Sequence, residues 1–293
     1  MNWTTMTATA ALAICATAYP QTAAAQSSPE VAPLQLQGRT IREIVAPDAD
    51  QGAAVDSQWV YAIDNSVIAQ MAKSDGAPHA RWVGPERLLQ HMNSCLALEG
   101  RLWCANSNYS DTPMASSVEV FDTDPLAHAQ SHSLGILDEG SLVWVDRVPE
   151  GWIAGFAHYD DNGGLPFKNH AYSGVVRYDE GWRRLGGWAF PASILERLAP
   201  DAASGGALGP DGLLYIMGHD RPEMYVTARP VMGPTLIHVA TIAVEAEGQA
   251  FSWDRTVDER VVYVVDRRIG RVREIEIPPV TIADRDDALP FVP

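Results

Sequence analysis

The sequence predicts an all-β fold: a five-bladed β-propeller whose last blade is closed by the N-terminal strand. Three observations carry this. Five similar segments recur along the chain, and further strand-like runs follow each of them. One strand is left over at the front where one is missing at the back.

The five segments share one grammar: a small or polar residue, an apolar run, a tight turn, then an aromatic-containing strand that ends in a polar residue. They read QGAAVDSQWVYAID (Gln51 to Asp64), NSCLALEGRLWCAN (Asn93 to Asn106), SLVWVDRVPEGWIAGFAH (Ser141 to His158), GGALGPDGLLYIMGH (Gly205 to His219) and QAFSWDRTVDERVVYVVD (Gln249 to Asp266). Their end residues are 42, 52, 61 and 47 positions apart, around the 40–50 residues of a four-stranded blade. Third strands are expected at Val67–Met71, Val118–Phe121, Gly174–Tyr178, Met224–Thr227 and Val272–Ile277. Fourth strands follow at His79–Val83, His128–Leu134, Arg184–Phe190 and Thr235–Ile242. The fifth unit has none, because Pro278 and Pro279 follow directly. The unclaimed run Thr40–Ala46 completes that blade, and closure removes the free sheet edges. A parallel α/β fold would need long amphipathic helices, and only Ser193–Leu198 reads as helix. A β-sandwich would not need such similar units.

Residues 1–25 read as a secretory signal. The Ala-rich stretch Ala8 to Ala18 leads to the small-residue site Ala23-Ala24-Ala25, although no Lys or Arg precedes Arg39. Leu12-Ala13-Ile14-Cys15 loosely resembles a lipoprotein signal, with a bulky Ile14 where a small residue is expected. The remaining chain divides into a linker (26–39), the propeller (40–278) and a tail (279–293). A periplasmic or secreted protein is expected, and a monomer.

The net charge of −16 argues against a nucleic-acid partner, since phosphate binding needs clustered Lys and Arg. The nearest approach is Arg267, Arg268, Arg271 and Arg273, which alternate with apolar and acidic residues like an exposed strand face. No apolar run of about 20 residues follows the N-terminus, so no membrane span is expected.

In a propeller, the starts of first strands and the ends of second strands converge on one channel mouth. That rim would carry Gln51, His91, Asn93, Glu139, Ser141, Ser204, Glu247 and Gln249, facing Asp64, Asn106, His158, His219 and Asp266. The long loops Asn106–Ser117 and Tyr159–Ala171 and the linker Pro191–Ser204 open there too, and binding tends to sit on such loops. His91, His158 and His219 are the expected catalytic residues. They could also hold a divalent metal ion, since neutral imidazole is a common ligand. The bland reading makes all three structural. Gln51, Asp64, Asn93, Asn106, Gln249 and Asp266 are expected to bind the substrate, although a strand-terminal Asp often only bonds the backbone of the next turn. Asp50, Glu139 and Glu247 offer carboxylates for glycoside hydrolysis. His128, His132 and His238 fall on outer strands and are expected to face solvent. His170 is expected to reach the pocket as a lid residue. Trp59, Trp103, Trp144, Trp152 and Trp253 are expected to pack between blades.

Cys95 and Cys104 are the cysteines that remain if export removes Cys15. With Glu99-Gly100 as a two-residue turn, the register places them directly opposite each other, within reach of a disulfide.

The phrases QGAAVD, YAIDN, HMNS, CANSNY, MASSVEVFD, SHSLG, FAHY, SGGALGPDG, GHDRPEMYV and EGQAFSWDR cover most of Asp50–Val265. In them the chain resembles a group of secreted bacterial and fungal propeller proteins without a settled activity. The resemblance implies fold and export. By architecture alone the chain is also similar to metal-binding propeller lactonases and to propeller polysaccharide lyases, an analogy of fold. The expected function is an exported enzyme acting on a small carbohydrate or lactone-like compound, by lyase, cycloisomerase or hydrolase chemistry. A glycoside hydrolase using rim carboxylates is the enzyme alternative. A lectin-like or scaffolding propeller is the alternative without catalysis.

Overall fold

The structure is a computed structural model that describes residues 31–136, 138–160 and 165–292; the expected signal lies outside them. Five antiparallel sheets follow one another along the chain, and their first strands pack against each other in a closed ring. Blade one is Gly52–Val55, Trp59–Asp64, Val67–Ala72 and Pro78–Val83. Blade two is His91–Leu98, Arg101–Ser107, Ala115–Thr123 and Leu126–Ile136. Blade three is Ser141–Val148, Gly151–Ala157, Gly174–Tyr178 and Arg184–Ala189. Blade four is Gly205–Leu208, Leu214–Met217, Glu223–Pro230 and Ile237–Ala243. Blade five is Phe251–Trp253, Val261–Asp266 and Arg271–Glu276, with Arg39–Val45 as its outer strand.

The closure is as expected. Arg39 pairs with Glu276 and Val45 with Arg271, antiparallel, with a bulge between Thr40 and Arg42. Glu43 bonds Arg271 and Arg273 across that pair, each at 2.9 Å. The chain just before it is also ordered into the fold. Leu34–Gln37 lies parallel to Ile237–Ala243, and the Gly38 N–H bonds the Ala243 carbonyl at 2.8 Å. One N-terminal segment therefore ties blade four to blade five, where the sequence suggested a linker. The tail is likewise engaged. Ala288–Leu289 pairs with Arg229–Pro230, and the Phe291 N–H bonds the Gly212 carbonyl at 2.7 Å.

Small residues at the axis follow from ring geometry. A Cβ on Gly52 would stand 2.7 Å from the Asn93 carbonyl oxygen, and one on Gly205 2.6 Å from the Ala250 Cα. Larger residues there would push neighbouring first strands apart. The bulk sits between blades instead, in five clusters of buried side chains. Trp144 is fully buried there, and Trp103 of blade two meets Trp152 of blade three at 4.6 Å. Below the ring, aspartates hold the first hairpins. Asp56 accepts from the backbone N–H of Gln58 and Trp59 and from the Tyr61 hydroxyl. Asp211 does the same for Leu213 and Tyr215.

Cys95 and Cys104 form a disulfide and are directly opposed in register. Glu99 and Gly100 have φ of 52° and 75°, the pair of left-handed residues that a tight type I′ hairpin needs.

Of the three outer-strand histidines only His128 is exposed as expected, and His132 is half-buried. His238 is buried, close to the Ser193 hydroxyl at 3.1 Å and the Ala240 carbonyl at 3.1 Å. His128 bonds the buried Glu119 carboxylate at 2.7 Å, and His132 lies between the rings of Trp103 and Trp182. Imidazole supplies a flat partner for the neighbouring aromatic rings: His128 stacks with Trp82 of blade one, and His238 meets Tyr225 edge to face. His170 likewise bonds Asp160 at 2.7 Å and fastens the long blade-three loop to itself.

Candidate functional site

His91 begins blade two and His219 follows the second strand of blade four, and both come to the rim. The Asn65 amide is oriented by its Nδ2 donating to Asp64 Oδ1 at 3.0 Å. Its Oδ1 therefore accepts from His91 Nδ1–H at 2.8 Å. His219 Nδ1–H donates to the Ala202 carbonyl at 3.0 Å. Both rings thus carry their proton on Nδ1, and with their pKa values lowered the neutral form leaves each Nε2 its lone pair. Burial, and after it the charge of His219, push the His91 pKa down to about 4 against the pull of Asp50. Burial also lowers His219, against the pull of Asp201.

Two tyrosines join these histidines. The Tyr109 ring stands 5.0 Å from His91 and 4.9 Å from Tyr159. Tyr159 in turn meets His219 edge to face at 5.6 Å. Burial raises both phenol pKa values, most for Tyr159, so both hydroxyls stay protonated donors at neutral pH. Asp201, on the linker before blade four, has its pKa raised by burial and by the neighbouring Asp220 carboxylate, with His219 acting the other way. A cavity of about 620 Å³ opens beside His91, lined also by Asp64, Asn65, Glu86 and Tyr109.

His158 is not gathered with the other two. It is 2% exposed, and both of its ring nitrogens lack a hydrogen-bond partner. Its neighbours are Gly140 and Tyr172 within the blade-three region. Strand alternation explains this. Ala157 and Tyr159 pack with the cluster toward blade four, while Phe156 packs with the cluster toward blade two. His158 shares the parity of Phe156, so Tyr159 is the residue carried to His219. Among the described residues, no three His, Cys, Asp or Glu side chains are arranged to hold a metal ion. The residues present do not fit the divalent metal that three convergent imidazoles would have bound.

All the other expected site residues except Asn93 have structural partners. Asp64 accepts from Asn65 N–H and Nδ2, and so acts on His91 through Asn65. Gln51 donates to Asp50 at 2.9 Å. Gln249 is 1% exposed, at φ 71°, and accepts from the Ser204 hydroxyl at 2.7 Å. Asp266 accepts from Arg273 at 2.9 Å. Asn106 donates to the Ser117 hydroxyl at 3.0 Å, while its Oδ1 has no partner. Asn93 is buried on the inner strand of blade two, with both amide atoms unpartnered. Glu139 pairs with Arg184, and Glu247 with Arg268. With Asp50 bonded to Gln51, the three carboxylates form no free pair. Sequence reasoning did not single out Asn65, Tyr109, Tyr159 and Asp201, although the last three lie in the loops and linker expected at the rim and Asn65 adjoins the rim residue Asp64.

Fold and rim together define a five-bladed β-propeller with one asymmetric cluster of histidine and tyrosine at a channel mouth. No family model matches the chain, and no curated protein matches it. Solved structures of similar architecture include a chain of a mitotic checkpoint complex, at 10% identity and TM-score 0.43, covering 92% of this chain and 100% of that one. A gluconolactonase from Xanthomonas campestris matches at 11% identity and TM-score 0.45, over 78% of this chain and 71% of its own. The WD40 propeller of Doa1 matches at 10% and 0.43, over 78% of each. These likenesses concern architecture, and the blade count rests on the sheet topology.

Proposed function

We propose that the His91–Tyr109–Tyr159–His219 rim is the active site of an exported enzyme that opens a small carbohydrate or lactone-like compound by general acid–base catalysis. The observation that carries this reading is the tautomer pair: two neutral imidazoles with Nδ1–H tied to fixed acceptors and Nε2 free. A general base must be unprotonated at working pH and held in one orientation, and the lowered pKa values and the Nδ1 hydrogen bonds support this reading. In a lactone hydrolysis, one Nε2 takes a proton from the attacking water while its oxygen bonds the carbonyl carbon. A tyrosine hydroxyl donates a hydrogen bond to the developing oxyanion. The ring C–O bond then breaks, and the leaving oxygen takes the proton back from the imidazolium. Asn65, fixed by Asp64, positions His91. Asp201 would stabilise His219 when it carries a proton.

The test is turnover of a panel of sugar lactones and glycosides by the wild-type protein and by single variants. General acid–base groups contribute about 10²–10⁴-fold. His91→Ala and His219→Ala should each lose a factor in that range while the melting temperature is kept. Loss of turnover in His158→Ala, with His219→Ala unaffected, would move the site away from this rim.

A further inference from the structure

A second cavity, of about 510 Å³, opens on blade three, away from the His91–His219 cluster. Its size falls in the range of about 300–1,000 Å³ that holds small ligands. Phe156 and Val176 lie at its floor but are only 1% and 5% exposed, so the apolar surface open to a ligand is that of the half-buried Trp188, which also lines it. Two ion pairs line its polar side: Arg184 to Glu139 at 2.8 Å, and Lys168 to Asp138 at 3.2 Å. Lys168 also donates to the Asp138 carbonyl. Tyr172 stands at the mouth, 59% exposed. It is carried there by a short helical turn that the Asn169 side chain caps.

Two buried polar side chains beside this cluster have no partner. Tyr178, 3% exposed, keeps an unbonded hydroxyl close enough to Glu139 and Arg184 to feel both charges. His158 has both ring nitrogens unbonded; the backbone carbonyls of Asp138 and Glu139 lie near them without completing a hydrogen bond. Buried polar groups are nearly always satisfied; neither orphan lines the crevice, but both lie near charged residues that do. The four charges lining it cancel in pairs, which gives no net attraction for an anion or a cation. An apolar wall opposite paired charges and an aromatic ring at the mouth suit a ring with one C–H face and hydroxyls at its edge.

We infer that the blade-three crevice is a binding site for a neutral polyhydroxylated ring, a sugar or cyclic polyol, separate from the His91–His219 rim. Hydroxyls of the ligand are placed against the Glu139–Arg184 and Asp138–Lys168 pairs, its apolar face lies on Trp188, and Tyr172 covers the mouth.

The experiment is ligand-observed NMR followed by titration calorimetry on the full chain. Glucose, galactose, xylose and myo-inositol are the neutral probes, and glucuronate is the anionic one. At least one neutral probe should bind. Arg184→Ala and Tyr172→Ala should each raise its Kd about tenfold or more. His91→Ala and His219→Ala should leave it within about twofold. Tyr172 is exposed, so its variant keeps the test alive if Arg184→Ala does not fold. The inference is overturned if no neutral probe binds, if binding ignores the Tyr172 change, or if glucuronate binds more tightly than every neutral probe. It is also overturned if the rim variants abolish binding.

Discussion

Tyr159 and His219 meet edge to face across the seam between blades three and four, with ring centroids 5.6 Å apart and planes at 76°. His219 Nδ1–H is fixed on the Ala202 carbonyl, so the tyrosine holds the free side of the ring from turning. Tyr159 is 7% exposed and packs in the cluster between these blades. Tyr159→Ala should therefore cost about 3–5 kcal/mol, the usual range for truncating a buried aromatic. Tyr159→Phe should cost less than about 1.5 kcal/mol, because volume and the ring contact are kept. Denaturant unfolding of both variants measures this, and equal losses would show that the hydroxyl, not the ring, supports the seam.

Beneath the ring, Asp146 is fully buried and joins three blades. It accepts from Arg255 of blade five at 2.6 Å and from the Leu208 N–H of blade four at 2.7 Å. Removing one partner of a buried pair leaves the other uncompensated. Asp146→Ala is expected to destabilise by about 3–5 kcal/mol. Arg255→Met should cost at least as much, because it leaves the fully buried Asp146 carboxylate without its counter-charge, whereas a third of the arginine side chain already meets solvent. A urea titration in which Asp146→Ala matched wild type would refute a tie across blades.

The fold was largely legible in the sequence, for a physical reason. Repeated blades demand repeated apolar runs and turns, and a missing fourth strand at the end demanded a partner at the front. Asp64 to Asp266 marked each second-strand end, and Glu99-Gly100 fixed the register that opposes Cys95 and Cys104. The site was less legible. Rim membership followed from strand position, but which side of a strand end meets the channel depends on blade twist, which no spacing encodes. His158 was chosen where its neighbour Tyr159 is the one that reaches His219. The strand Leu34–Gln37 was missed because four residues of LQLQ carry little periodic signal by themselves.

The N-terminal closure predicts unequal effects of truncation. Removing residues through Gln37 uncovers one edge of blade four and should lower the melting temperature by a few degrees. Removing residues through Val45 also strips the outer strand of blade five, exposes Val272 and Ile275, and should yield aggregated protein. Thermal melts with light scattering distinguish the two. Soluble, cooperative unfolding of the longer truncation would contradict closure as a requirement for stability.

Acid should destabilise the protein before its carboxylates titrate. Burial lowers His91 and His238 to about 4 in the folded chain, against about 6.5 when unfolded. Between those values the unfolded chain binds protons that the native one refuses. Stability is therefore full above pH about 6.5 and falls as pH drops toward about 4. His238→Gln should flatten the decline between pH about 6.5 and 5, above the ordinary carboxylate range. A melting temperature that is constant or rises on acidification through that window would rule out buried neutral histidines as its source.

The measurement that bears most directly on the proposed site is the nitrogen NMR spectrum of the histidine rings, assigned with His91→Gln and His219→Gln variants. At pH 7 His91 and His219 should both appear as neutral Nδ1–H tautomers with an unprotonated Nε2, and His91 should remain so at pH 6. An imidazolium at His91 at pH 6, or the Nε2–H tautomer at either residue, would contradict a rim built around two oriented bases.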